Sequence, residues 1–425
     1  TTGRYNNFFG GYAGYENTTG SNNNFFGNIA GYNNTTGSNN NFFGERAGYN
    51  NTTGCYNNFI GRCAGYFNTT GSCNNFFGDF AGFSNTSGSS NNFIGQQAGR
   101  FNASGSDNNF IGRCAGYCNT TGYTNNFFGY QAGYYNTTGS NNNFFGVLTG
   151  YSNTTGSNNN FFGYRAGYSN TTGSCNNFFG KDAGLCSNSY HNNFFGFFAG
   201  CGNTTGNANN FFGKYAGQST NTGFNNNFFG SSAGQSNSSG HSNNFIGCGA
   251  GRLNETGCFN NFIGCASGFC NTTASNNIAI GRCSGYGTNG LDNFTTTSNR
   301  IVMGNCFHTN ACIQIAWSVA SDIRYKCVWG NVSHGRDFLR GVNPIEYSFI
   351  DYDTEEVTDN YKRYGFSAQE ILELEGDNPV ITKTDNPDRL GLTYEYFIPI
   401  LVNAIKELDT ENKSILARLE ALENA

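Results

Sequence analysis

Fourteen asparagines at one recurring position stand in Asn-x-(Ser/Thr) triplets, at Asn17, Asn34, Asn51, Asn68, Asn85, Asn102, Asn119, Asn136, Asn153, Asn170, Asn203, Asn237, Asn254 and Asn271. The triplet is the acceptor for N-linked glycosylation, which needs the side-chain amide on a turn that reaches solvent. Asn-Thr-Thr-Gly is also a good turn without modification, so glycans are expected only if the chain is made where the transfer machinery exists. Sixteen cysteines form the second reactive set. Cys248 with Cys265 and Cys55 with Cys73 recur near one spacing, and adjacent turns of a regular fold would bring such positions within disulfide reach. The sequence has no Cys-x-x-Cys pair and only 4 His, so neither a metal centre nor a cofactor is expected. Carboxylates are scarce over residues 1–290, where Glu16, Glu45, Asp79, Asp107, Asp182 and Glu255 are the only six and no two recur as a pair on adjacent repeats. A glycosidase needs such a pair.

What positions these residues is a repeat. Blocks of Asn-Asn-Phe-(Phe/Ile)-Gly close at Gly10, 27, 44, 61, 78, 95, 112, 129, 146, 163, 180, 196, 213, 230, 247 and 264, and a degenerate block closes at Gly281. The interval is 17 residues except for 16 between Gly180 and Gly196, which makes 17 copies. Each unit reads as one coil of a parallel β-solenoid or β-roll. A short strand, Asn-Phe-Phe, ends at Gly, a small Ala-Gly pair makes a corner, and Asn-Thr-Thr-Gly turns the chain. Adjacent phenylalanines on a strand face opposite ways. One Phe of each pair therefore fills the coil interior and the other lines a second apolar surface, which predicts a subunit interface along a fibre. Asn side chains stacked from coil to coil can form amide ladders. At ~4.8 Å per coil, the copies build a slender rod of roughly 80 Å.

Composition divides the chain. Residues 1–290 hold 10 basic and 6 acidic side chains, leaving 12 basic and 21 acidic for residues 291–425, where all four prolines also lie. The net charge of −5 argues against nucleic acid as a partner. No apolar run is long enough to span a membrane. The chain begins at Thr1 with no signal-like segment, so it reads as a processed chain or a fragment.

Over residues 1–290 the pattern resembles the head repeats of trimeric autotransporter adhesins. It is closer still to the N-x-F-I-G-x-x-A-G repeats of fibre-like proteins of bacteria and large viruses. The resemblance implies a trimeric rod. After a β neck or linker at 291–320, the run Ser321-Asp322-Ile323-Arg324-Tyr325-Lys326 begins a second ordered set of motifs. It continues with Gly-Val-Asn-Pro-Ile-Glu-Tyr at 341–347, Arg-Tyr-Gly-Phe-Ser-Ala-Gln-Glu at 363–370 and Tyr-Glu-Tyr-Phe-Ile-Pro-Ile-Leu from 394. The set is similar to the intramolecular chaperone domain of phage tail spikes and fibres, the autoprocessing family classed as peptidase S74. That resemblance, covering 321–425, implies a small α+β module that trimerises, guides the preceding fibre into register and in many members cuts itself off. It places a nucleophile at Ser321, its base at Lys326, supporting charges at Asp322 and Arg324, and the scissile bond between Ala320 and Ser321. Lys326 must be neutral to take the Ser321 proton, which calls for burial or neighbouring cations.

Independently of family, Leu401, Ile405, Leu408, Asn412, Ile415, Leu419 and Leu422 alternate by 4 and 3, predicting a coiled-coil helix over 398–423. The expected protein is a homo-oligomeric fibre or adhesin, extracellular, at a cell surface or on a virion, that binds a host or cell-surface receptor or glycan. A polysaccharide depolymerase carrying the same chaperone is the alternative. A membrane-released transcription factor is disfavoured, since a basic region and a membrane span are both missing.

Overall fold

The computed structural model describes residues 2–286, 294–305, 321–348, 350, 357, 361–384 and 390–424. Two compact units divide between Thr309 and Asn310. The first is the solenoid, an 18-stranded parallel sheet built from three-residue strands running from Asn7–Phe9 to Ile301–Met303. Strands pair with their sequence neighbours in strict register, Asn24 with Asn41, Phe25 with Phe42 and Phe26 with Phe43. The last rung, Ile301–Met303, pairs with Ile278–Ile280, so a strand that the sequence assigned to the neck is the eighteenth rung of the rod. Of the rest of the expected neck, residues 291–293 and 306–320 lie outside the described residues.

Period-two alternation decides which Phe goes where. The first of each pair, from Phe25 to Phe262, is wholly buried, and its ring stacks on the next coil's ring with centroids 4.8 Å apart at Phe127 and Phe144. In most coils the alanine three residues after the closing glycine is also buried beside it. Gly48, at φ +58°, shows why a glycine follows that alanine: a Cβ there would sit 2.5 Å from the Phe42 ring. The second Phe or Ile points outward, with Phe43, Ile60, Ile94, Phe229 and Ile263 about two-fifths exposed.

The sequence did not reveal two left-handed corners in each coil that are occupied by ordinary residues. Arg46 at φ 62° and Tyr56 at φ 59° mark them in one coil. Each costs about 1 kcal/mol. Each is held by an amide bonded to the previous coil, Arg46 N to Asn28 O at 3.0 Å and Tyr56 N to Ser38 O at 3.1 Å.

The second unit contains helices α1 (Arg336–Gly341), α2 (Ala368–Glu375) and α3 (Phe397–Glu423), with an antiparallel pair of strands, Pro344–Tyr347 and Arg363–Phe366. Ile371, Ile381, Phe397 and Ile400 form its core, with Phe338, Leu339, Phe366 and Leu392 packed against them. Only Phe397, Ile400 and Ala404 of α3 are buried. Leu401, Ile405, Leu408, Ile415, Leu419 and Leu422, the seam read from the sequence, are all exposed in the single chain. No helix among the described residues is long and apolar enough to cross a membrane.

Candidate functional site

Asp322 caps a single 3-10 turn over Ile323–Tyr325 by accepting from Arg324 N at 2.9 Å. The chain leaves the turn at Lys326, whose amide bonds Ile323 O at 3.1 Å. This tight turn folds the flanking residues back on each other, and Lys326 Nζ donates to Ser321 Oγ at 2.6 Å. Ser321 and Lys326 are thus brought together as the sequence suggests. Asp322 and Arg324 turn to one another instead, with Arg324 Nε 3.0 Å from Asp322 Oδ2. The guanidinium holds the Asp322 carboxyl below its usual range, and the carboxylate raises Arg324 in turn. Ala320, the other side of the expected scissile bond, lies outside the described residues.

Both members of the Ser321–Lys326 pair are exposed. In general a serine-lysine pair can serve as nucleophile and base only where the lysine is desolvated or faces a neighbouring cation.

The acceptor asparagines are placed differently from the expectation. From Asn34 to Asn271 all are fully buried, and Asn17 nearly so. Asn34 Nδ2 donates to Asn17 Oδ1 at 2.8 Å and to Gly37 O at 2.9 Å, and the same pair of bonds recurs at Asn51, Asn68, Asn85 and on to Asn170. Both amide hydrogens are therefore used inside the coil. The turn was read correctly, but a glycan on this column cannot reach solvent in the folded rod, because the amide that would carry it is the rod's internal ladder. Polar side chains within a turn gave no sign of facing inward until the coils were stacked.

A second buried ladder runs beside it. Asn40 Nδ2 bonds Gly54 O at 2.8 Å while Asn40 N donates to Asn23 Oδ1 at 3.0 Å. The first column is interrupted where Ser187 and Thr220 replace asparagine. The buried Oδ1 atoms of Asn170 and Asn203, and Thr220 Oγ1, are left without partners there.

All 14 cysteines among the described residues are free thiols, and Cys306 and Cys312 lie outside that set. Cys55 and Cys73 occupy different columns. Cys55 takes the place of a column serine and accepts from Ser38 N at 3.3 Å, whereas Cys73 sits on a left-handed corner at φ 61°. Cys248 and Cys265 do share a column and are both exposed. Burial pushes the thiols of Cys63, Cys114 and Cys118 up, and that of Cys201 to about 11, so these favour the protonated, unreactive form.

The sequence also gave no sign of two structural devices. Asn403 Nδ2 bonds His334 O at 2.9 Å and Glu407 Oε2 accepts from Arg336 N at 2.8 Å, fastening the start of α1 to α3. Glu375 takes three backbone amides, Val380 N at 2.7 Å, Ile381 N at 2.6 Å and Thr382 N at 2.8 Å. No group of His, Cys, Asp and Glu capable of holding a metal occurs among the described residues.

The chain thus joins a parallel β-solenoid to a small α+β unit that has a Ser-Lys pair at its start. Residues 321–378 match the family model described as Chaperone of endosialidase, Peptidase_S74. The C-terminal unit therefore carries a domain of that family, beginning at the Ser321 that holds the pair. No curated protein and no solved structure was found to match the chain.

Proposed function

We propose that this protein is a homotrimeric attachment fibre of a cell surface or virion. Its C-terminal domain gathers the chains before the rod closes and then releases itself by cleavage between Ala320 and Ser321. The observation that carries the reading is the outward column of the solenoid. One Phe or Ile per coil, from Phe9 to Ile280, lines one face beside an asparagine row, and no charged residue interrupts either row. Neighbouring rings stack along it, as at Phe145 and Phe162 with centroids 4.8 Å apart. An apolar stripe repeated on every coil matches a second copy of itself at every coil, as a subunit seam requires. The exposed leucine and isoleucine seam of α3 has the same need for partners.

The chaperone has a physical task in this design. Identical rungs permit a slip of one whole coil, and parallel non-local sheets form slowly. Chains held together at one end are less free to slip. Sedimentation of the purified full chain, combined with electron microscopy, tests the proposal. Three chains in a slender rod are expected, and a monodisperse monomer would refute it.

A further inference from the structure

The rod has a second outward face of different chemistry. Nine of its ten cations fall at the first, second or fifth residue after a closing glycine: Arg46, Arg62, Arg100, Arg113, Arg165, Lys181, Lys214, Arg252 and Arg282. These positions share one edge, as the Phe80 ring shows by lying 5.0 Å from the Arg62 guanidinium and 5.1 Å from that of Arg100. Three acids occupy the same edge, Glu45, Asp79 and Asp182, so nine minus three leaves an excess of six positive charges. Each acid is matched to one cation, Glu45 to Arg46, Asp79 to Arg62 and Asp182 to Arg165.

Five of the remaining cations have no carboxylate within ion-pair distance among the described residues, and each lies over aromatic rings. Arg100 sits among Phe80, Phe83, Phe101 and Tyr117, and its buried Nε has no hydrogen-bond partner. Arg113 lies over Tyr130, Lys181 and Lys214 flank Phe197, and Arg252 lies over Phe269. Aromatic rings hold the cations in place without neutralising them. Between them runs a ladder of half-buried tyrosines, Tyr117, Tyr134, Tyr151 and Tyr168, stacked face to face.

Residue choice along this edge varies from coil to coil, whereas the Phe core, the asparagine ladders and the outward Phe/Ile column hardly change. A seam between identical chains wants uniform coils, and a surface that recognises something else does not. We propose that this edge binds an anionic glycan, a linear acidic polysaccharide laid along the rod. The charge spacing favours a glycan over nucleic acid. Six net charges over roughly 80 Å give about one per 13 Å, against one phosphate per ~1.7 Å of duplex. That sparse array matches a polymer whose anionic units are separated by neutral hydroxylated ones, which the tyrosine edge can meet with hydrogen bonds.

The inference deepens the attachment reading by naming the receptor's chemistry. Its test uses full-length protein passed over immobilised polygalacturonate, a sulfated glycosaminoglycan, neutral dextran and duplex DNA. The polyuronate and the sulfated polymer distinguish which anionic group is read. Binding to at least one of the two is expected, with none to dextran. Arg113→Gln combined with Lys181→Gln and Lys214→Gln should weaken it at least tenfold with an unchanged circular dichroism spectrum, while Arg4→Gln, on another column, should not. Failure to bind either anionic glycan, equal weakening by Arg4→Gln, or tighter binding to DNA than to both glycans would overturn the proposal. Sedimentation of the same samples separates the two readings. An assembled rod indifferent to both glycans defeats this inference alone, and a monomer that binds through the three cations defeats only the trimer.

Discussion

Lys326 Nζ lies 2.6 Å from Ser321 Oγ across one 3-10 turn, at the first residue of the segment that matches the chaperone family. If this pair cuts the chain, denaturing gels of the full-length protein should show a C-terminal piece of about a quarter of the 46.0 kDa chain. Ser321→Ala and Lys326→Met should each slow its appearance by about 10²-fold or more. Neither should prevent oligomer formation, because the apolar seam of α3 lies far along the sequence from the pair. The same piece released at the same rate from Ser321→Ala would remove the serine from the mechanism.

The two phenylalanines of a strand should fail in different ways. Phe144 is fully buried between stacked rings, so Phe144→Ala should cost about 3–5 kcal/mol and lower the thermal transition of the rod. Because each coil touches only its neighbours, protease cuts should cluster near that coil. Phe77→Asp combined with Ile94→Asp, on the outward column, should leave coil folding intact by circular dichroism and reduce association instead. Equal loss of folding from both variants would mean that the outward column is not a seam.

Thr220 breaks the inner asparagine ladder, and its hydroxyl and the Asn203 Oδ1 below it are both buried without partners. In Thr220→Asn the new amide can donate to Asn203 Oδ1 and accept from Asn237 Nδ2, which now bonds only Gly240 O. Stability should rise by about 1–3 kcal/mol, measured by denaturant unfolding. The converse, Asn119→Ala, removes the donor to Asn102 Oδ1 and Gly122 O and should cost a similar amount. If the ladder fills the interior, the intact mass of folded native protein should show no glycan at the fourteen ladder asparagines. Mass added at those positions in folded protein would contradict the burial.

How much of this was legible follows from where the information sits. Asn-Phe-Phe-Gly states strand, facing and end within four residues, so the rungs, their register and the two roles of Phe were readable. The position of Arg46 or Tyr56 on a left-handed corner was not, because neither residue prefers that conformation and only the closure of the coil imposes it. The inward facing of Asn34 was missed for a related reason. An isolated Asn-Thr-Thr-Gly turn exposes its asparagine, and only the coil above supplies the partner that makes burial favourable. At the C-terminal pair, the family resemblance joined Ser321 to Lys326, but the mutual pairing of Asp322 and Arg324 depends on the cap geometry of one turn.

Acid should loosen the C-terminal unit through Glu375. Burial raises its carboxyl, but the backbone amides of Ile381, Val380 and Thr382 outweigh that and hold it below the ordinary 4.5. A depressed folded value means the charged form is favoured by folding. The contribution is then fully present above the unfolded value and is lost as pH falls through the lower folded one. Stability of this unit should therefore decline below about pH 4.5. Glu375→Gln should be weaker by about 1–2 kcal/mol at neutral pH, since a neutral amide oxygen accepts less strongly and its nitrogen cannot accept at all. The variant should also lose part of the acid dependence. Unfolding curves collected from pH 7 to pH 3 for both proteins decide the point, and parallel pH profiles would show that the loop at 380–382 is held by its packing and not by the Glu375 charge.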